Sequence, residues 1–324
     1  MAYGATSRLA AVACAFGLAS PAMANPDGFP TRPITLIVPF PAGSQPDTIA
    51  RFVGQHLSSR VGVTVILNRP GAGGTTGTKA ASLATPDGYT LLLGTTGSLG
   101  IGPAFFPSAG YDAVKSFTPV AMVSSAPFML VAGRTAPVAT ATEAIAYAKA
   151  NPGKLSYSAA TGSPPHLGCE LFRRAAKIDI HRIAARGLQA ITDLLGGEVQ
   201  LLCEATTVVL PQIQAGQAKP LATMHGTRIP QAPDVPTMAE LGMPGVEVSV
   251  WAGVLAPAGT PDELVRRLNS EINAALNSAE LREALAKLGV EPMPLAPESF
   301  AAFIATEAAK WADLVELAGE RAPK

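Results

Sequence analysis

Short apolar runs alternate along this chain with longer stretches whose apolar positions recur three and four apart, the patterns of strands and amphipathic helices in turn. Pro33-Ile34-Thr35-Leu36-Ile37-Val38 is a β-rich run that stops at Pro39 and reads as a buried strand. The loop Pro39 to Asp47 follows, and Thr48 through Leu57 places Ile49, Phe52, Val53 and Leu57 on one helical face. Strand, loop and helix return at Val63 to Leu67, the glycine-rich Gly71 to Gly77, and a small-residue helix to about Leu83. Pro86-Asp87-Gly88 is then a turn and Tyr89 to Leu93 the next strand. Further on, the spacing predicts a helix from Ala141 to Asn151, a strand from Leu155 to Ala159 and, after a loop at Thr161 to Pro165, a helix from His166 to Ala176. A strand at Ile180 to Ile183, a helix at Leu188 to Leu195 and a strand at Val199 to Cys203 complete that block. Alternating β and α with short loops argues for parallel sheet covered on both faces, and the two blocks, 33 to 125 and 153 to 225, for two α/β lobes.

The C-terminal part opens with an extended run, Val246 to Leu255, that contains Trp251. Thr260-Pro261-Asp262-Glu263 reads as a helix start, with Thr260 as cap, Pro261 at the first position and Glu263 closing a capping box. Leu264, Leu268, Ile272 and Leu276 make one stripe, and Leu281, Leu285 and Leu288 another before Gly289. A last helix carries Phe300, Phe303, Ile304, Trp311, Leu314 and Val315 before Gly319. These stripes read as packing faces, with no active site among them.

Composition narrows the class. With 324 residues, 48% hydrophobic and 15% charged, the chain is too apolar to be disordered and long enough for two cores. The 24 basic residues balance 24 acidic ones, so there is no cationic surplus for nucleic acid. Arg8, the apolar stretch Leu9 to Leu18, Pro21 and the small residues Ala22 and Ala24 read as a secretory signal. Cleavage is expected after Ala24, with residues 25–324 exported; the apolar stretch is too short to span a bilayer. Cys169 and Cys203 could pair in an oxidising compartment or remain ordinary buried thiols, and the sequence leaves both open. No Cys-x-x-Cys occurs and the histidines are scattered, so neither a metal nor a cofactor is expected.

Candidate chemistry sits in the loops. Gly71-Ala72-Gly73-Gly74-Thr75-Thr76-Gly77 lies between strand and helix but fits neither nucleotide-loop pattern: Thr78 separates Gly77 from Lys79, and Thr76 stands where the third Rossmann glycine belongs. What survives is the attraction of exposed backbone N–H groups for an anion, a carboxylate as readily as a phosphate. Thr96-Gly97-Ser98-Leu99-Gly100 is similar to a serine-hydrolase elbow with Thr96 replacing its first glycine, and no His or acid is placed to serve Ser98. His166 and Glu170 share a helical face without making a metal site. His166 reads as a polar group at a helix start, looking into a cleft or lying on the surface. Glu204 follows directly after an apolar strand, where a carboxylate faces a site, caps a helix or forms a salt bridge. Loops 39–48, 69–78, 94–98 and 161–167 all follow strands and open helices, the usual place for a ligand crevice in an α/β sheet.

Six segments carry a family resemblance: Pro33 to Phe40, Asn68-Arg69-Pro70-Gly71-Ala72-Gly73-Gly74, Pro86 to Leu92, Thr192-Asp193-Leu194-Leu195-Gly196-Gly197, Pro233-Asp234-Val235-Pro236-Thr237, and Leu255 to Pro261. In this order they resemble the Bug/TctC family, periplasmic solute-binding proteins of tripartite tricarboxylate transporters. The resemblance implies an α/β, two-lobed type II periplasmic binding protein of the Venus-flytrap kind, each lobe a mostly parallel sheet flanked by helices. Lobe 1 would comprise 25–127 with 248–324 and lobe 2 128–247. The chain would cross near 125 to 130 and return near 245 to 250, its last helices rejoining the first lobe.

The implied role is non-enzymatic: a monomer that captures a small carboxylate, a di- or tricarboxylate or an aromatic acid, and delivers it to membrane permease subunits. The implied ligand residues are Phe40, Gly43, Ser44 and Asp47 in the first loop; Gly73, Gly74 and Thr75; and Thr95, Thr96 and Gly97. From the second lobe come Thr161, Gly162, Ser163, His166, Arg186, Glu204 and Thr206. Ser44, in Gly43-Ser44-Gln45-Pro46-Asp47, replaces a customary glycine and adds a side-chain donor. Ala184-Ala185-Arg186-Gly187 lacks a customary aromatic ring, a loss expected to enlarge the pocket, and Arg186 is a candidate charge partner. Glu204-Ala205-Thr206-Thr207-Val208 departs from the family pattern too, and Asp47 is expected to cap its helix or meet a ligand amine or water. Two other classes share these features: a sensory accessory protein presenting its ligand to a membrane receptor, and a periplasmic hydrolase using Ser98.

Overall fold

The computed structural model describes residues 28–106, 108–185 and 189–319. The signal segment 1–24, Arg186, Gly187 and Leu188 lie outside them. The strands are β1 (Ile34–Val38), β2 (Thr64–Asn68), β3 (Thr90–Thr95), β4 (Phe117–Gly133), β5 (Ser156–Ala159), β6 (His181–Ala184), β7 (Leu201–Ala205), β8 (Ala218–Met224), β9 (Ser249–Pro257) and β10 (Glu291–Pro292). The helices are α1 (Gln45–Arg60), α2 (Thr75–Ser82), α3 (Gly102–Phe105), α4 (Ala141–Ala150), α5 (Pro164–Ala176), α6 (Gln189–Gly196), α7 (Thr206–Gln214), α8 (Asp262–Leu276), α9 (Ala279–Lys287) and α10 (Pro297–Ala318). Strand order is β2-β1-β3-β9-β4-β7-β5-β6, with β10 and β8 also pairing with β4.

The fold is the two-lobed type II α/β architecture. In the first lobe β2, β1 and β3 run parallel, as strands joined through helices must. In the second β5 is parallel to β6 and β7. The two parallel sets are joined by antiparallel strands: β9 pairs with β3 and β4, while β4 pairs with β7 and β8. β4 changes partners along its length. It holds β9 as far as Pro127↔Ser249 and turns to β7 and β8 from Phe128 onward.

Alternation along β1 sends Ile34, Leu36 and Val38 to one face, where they meet Ile49, Val53 and Leu57 of α1 and Leu264, Leu268 and Ile272 of α8. Ile37 points to the other face, into a core with Leu92, Leu255, Phe300 and Ile304. The second lobe has one core around Leu130, Tyr157, Leu167, Phe172 and Leu201 and another around Met129, Val131, Leu194 and Val209. α10 serves both lobes. Its Phe300 and Ile304 are in the first lobe's core, whereas Trp311, Leu314 and Val315 pack with the second. Glu307, midway, is buried and accepts the indole N–H of Trp251 on β9 at 3.0 Å and of Trp311 at 2.9 Å.

One local expectation changes and one open alternative is decided. Thr260 does not cap α8: its hydroxyl turns back to the Pro257 carbonyl at 2.8 Å, closing the turn after β9, and Pro261 holds the cap position without a side-chain bond. Cys169 on α5 and Cys203 on β7, Cα atoms 5.4 Å apart, form a disulfide inside the second lobe.

Candidate functional site: a cleft between the lobes

A cleft of ≈ 320 Å³ opens between the lobes at the carboxyl ends of the strands. The first lobe contributes Phe40, Gln45, Pro46 and Ile49 from the loop after β1 and the start of α1, and Thr95, Thr96 and Gly97 from the end of β3. The second contributes Pro164 and Pro165 of α5 together with Glu204, Ala205, Thr207 and Val208 around the β7–α7 junction. The connecting strands form its floor through Ser124, Phe128, Val250, Trp251 and Ala252, and Val290 also lines it. Of the residues expected from sequence, Phe40, Thr95, Thr96, Gly97 and Glu204 line the cleft. Thr96 is fixed to the floor, its hydroxyl accepting the Trp251 N–H at 2.9 Å.

The other expected residues among those described do not line the cleft. Gly73 and Gly74 take left-handed conformations, φ 64° and 97°, and Gly74 is packed so tightly that a Cβ would stand 3.2 Å from the Phe40 ring and 3.1 Å from Ser98. The glycine loop therefore backs Phe40, and the Thr75 hydroxyl donates to the Ala72 carbonyl. Gly43 gives its N–H to Asp47 at 2.9 Å, and Ser44 gives its hydroxyl to the Pro41 carbonyl at 2.6 Å, so each supports the loop. Asp47 is 1% exposed and also accepts from Arg51 and, at 2.9 Å, from Asn68. Burial alone would raise its pKa, but bonds from Arg51, the Gly43 N–H and Asn68 outweigh this and hold it below the usual aspartate value.

In the second lobe, Thr161 accepts from Arg182, and Gly162 lies so close to Phe105 of the first lobe that a Cβ would sit 2.4 Å from its ring. Ser163 caps α5. His166 lies neither on the surface nor along the cleft: it is buried in the first turn of α5, where Nδ1 accepts the Gly162 N–H at 3.2 Å. Helix α5 starts two residues earlier than expected, and Pro164 and Pro165 remove two backbone donors from that terminus. Thr206 is the buried first residue of α7.

Glu204 is different. Its Oε1 accepts the Ala205 N–H at 2.8 Å, and burial pushes its pKa up to about 7 against that bond.

Ser98 is no nucleophile in this arrangement. It is 0% exposed and forms a reciprocal box with Thr95, each backbone N–H bonding the other's hydroxyl. The elbow motif is thus the cap of a π-helical turn, Thr96–Ile101. Among the described residues no cluster of His, Cys, Asp or Glu could hold a metal ion, and no helix is long and apolar enough to cross a membrane.

The model of the tripartite tricarboxylate transporter family receptor matches residues 49–319. The chain belongs to this receptor family. It is 38% identical over 309 residues to protein BugT of Bordetella pertussis, covering 94% of each. Among solved structures, R. palustris Rpa4515 with adipate is 34% identical, with a TM-score of 0.76 over 90% of this chain and 98% of the other. MatC from Rhodopseudomonas palustris with bound malate is also 34% identical, with a TM-score of 0.73 over 89% and 100%. Sequence reasoning missed most of the apolar receptor cleft, Ile49, Phe128, Val208, Val250 and Val290 above all. The one available signal was the position of Ile49 and Val208 just inside helices that follow strands.

Proposed function

We propose that this receptor-family protein is exported to the periplasm, captures a small carboxylate between its lobes and delivers it to the permease subunits of a tripartite tricarboxylate-type transporter. The observation that carries the reading is the cleft: both lobes line it and the two strands linking them form its floor. A ligand touching both walls favours the closed state by its differential contacts, and a permease can read that state. Phe40, Thr95, Thr96 and Gly97 provide the first wall, while Glu204 and the start of α7 provide the second. Arg186 is proposed as the ionic partner of the ligand carboxylate.

The test is a thermal-shift screen of residues 25–324 against citrate, short dicarboxylates, acidic amino acids, nicotinate and benzene carboxylates. A ligand at a hundredfold its Kd adds about 2.7 kcal/mol of stability, a shift of several degrees. One chemical class should stand out, and Arg186→Ala should weaken that ligand at least about tenfold. Silence across the panel from folded protein would defeat the carboxylate reading, and unchanged affinity in Arg186→Ala would remove that residue from the site.

A further inference from the structure

Glu204 is the one ionisable side chain among the described residues of the cleft, set in a lining dominated by Phe40, Ile49, Phe128, Val208 and Trp251. Among the described residues the Ala205 N–H is the one hydrogen-bond or ionic partner of its carboxyl. The elements packed against β7 supply none. β4 and α7 carry no ionisable side chain. On α5, Glu170 is paired with Arg173 and bonded by Tyr157 of β5, His166 takes the Gly162 N–H, and Arg174 lies in the last turn. Asp193 of α6 accepts from Ser158 and Gln189.

We propose that Glu204 is the specificity-determining residue of the cleft and that the ligand is a monoanion, one carboxylate on an apolar body, with a second ionised carboxylate excluded. The inference rests on the solute-binding reading above. A dianion spanning the cleft would bring its second carboxylate, stripped of water, towards an unpaired carboxyl, and one of the two would have to protonate. An apolar body instead gains from the wall it covers. At ≈ 320 Å³ the cleft is of the size usual for a small organic ligand. Because burial raises Glu204 to about 7, acidification below neutrality neutralises it and relaxes the exclusion.

Calorimetric titration of residues 25–324 and of Glu204→Gln with two matched pairs, benzoate against terephthalate and hexanoate against adipate, at pH 6 and pH 8, tests this. In the wild type at pH 8 the monocarboxylate of each pair should bind about tenfold tighter than its dicarboxylate, and the ratio should shrink at pH 6. In Glu204→Gln it should fall below about threefold at both pH values. Equal or tighter dicarboxylate binding by the wild type at pH 8, or a ratio unchanged in Glu204→Gln, overturns the role of Glu204 and leaves solute binding standing. No binding of any of the four acids by folded wild-type protein overturns the carboxylate reading, and this inference with it.

Discussion

The two lobes each place a carboxylate close to the cleft, and they treat it in opposite ways. In the first lobe Asp47 sits behind Gln45 and Pro46, sealed from water and held by Arg51, Asn68 and the Gly43 N–H. In the second Glu204 stands on the cleft wall itself with a single backbone donor. Both are desolvated, yet the pKa of Asp47 is lowered and that of Glu204 raised. Desolvation alone therefore does not fix the charge of an acid; the donors aimed at it count as well. The fully bonded carboxylate builds the loop and the poorly bonded one lines the cleft.

Removing the first should have the largest effect. Asp47→Ala leaves the Gly43 N–H without its acceptor and Asn68 with the Phe40 carbonyl alone, and a loss of about 2–4 kcal/mol in urea unfolding is expected. A loss under about 0.5 kcal/mol would show that Asp47 does not hold the loop. The lobes also differ in covalent stapling, since the cysteines paired by the disulfide both lie in the second. Changing Cys169 and Cys203 together to Ser should lower stability by about 2–4 kcal/mol, with protection from hydrogen exchange lost chiefly in α5 and β7. Uniform loss over both lobes would break the distinction.

Glu204→Gln should move stability least and in the other direction. A carboxyl with a raised folded pKa binds more protons folded than unfolded between about pH 4.5 and 7, so it reduces stability as pH rises through that window. The substitution should therefore add about 1–2 kcal/mol at pH 8 and change little at pH 4. A gain of equal size at both pH values would mean that Glu204 is not titrating there.

Much of the fold is legible because its signals are local. β1, α1, β3, α5 and α8 follow from the periodicity of neighbouring side chains. β4 is not legible in the same way. It is buried on both faces, so it shows no alternation, and Pro119 and Pro127 look like breakers; irregularities in pairing at Pro119/Ala121 and Met122/Ser124 let one strand continue across both lobes. α7 is masked similarly by Pro211 inside it. Thr260 shows the limit of a local rule, since a hydroxyl suited to capping found a nearer carbonyl at Pro257.

By itself the sequence determined the family, the two α/β blocks, the strand-end loops and Glu204 as an acid at the end of an apolar strand. These rest on residue types and on spacings of two, three and four, which backbone geometry imposes wherever the chain goes. Only the tertiary structure decided that Cys169 meets Cys203, that Ser98 is a buried cap and that the glycine loop backs Phe40. It also decided which carboxylate faces the cleft. Each of these depends on segments far apart in sequence meeting in space, and on how many donors and how much water that meeting leaves around a polar group.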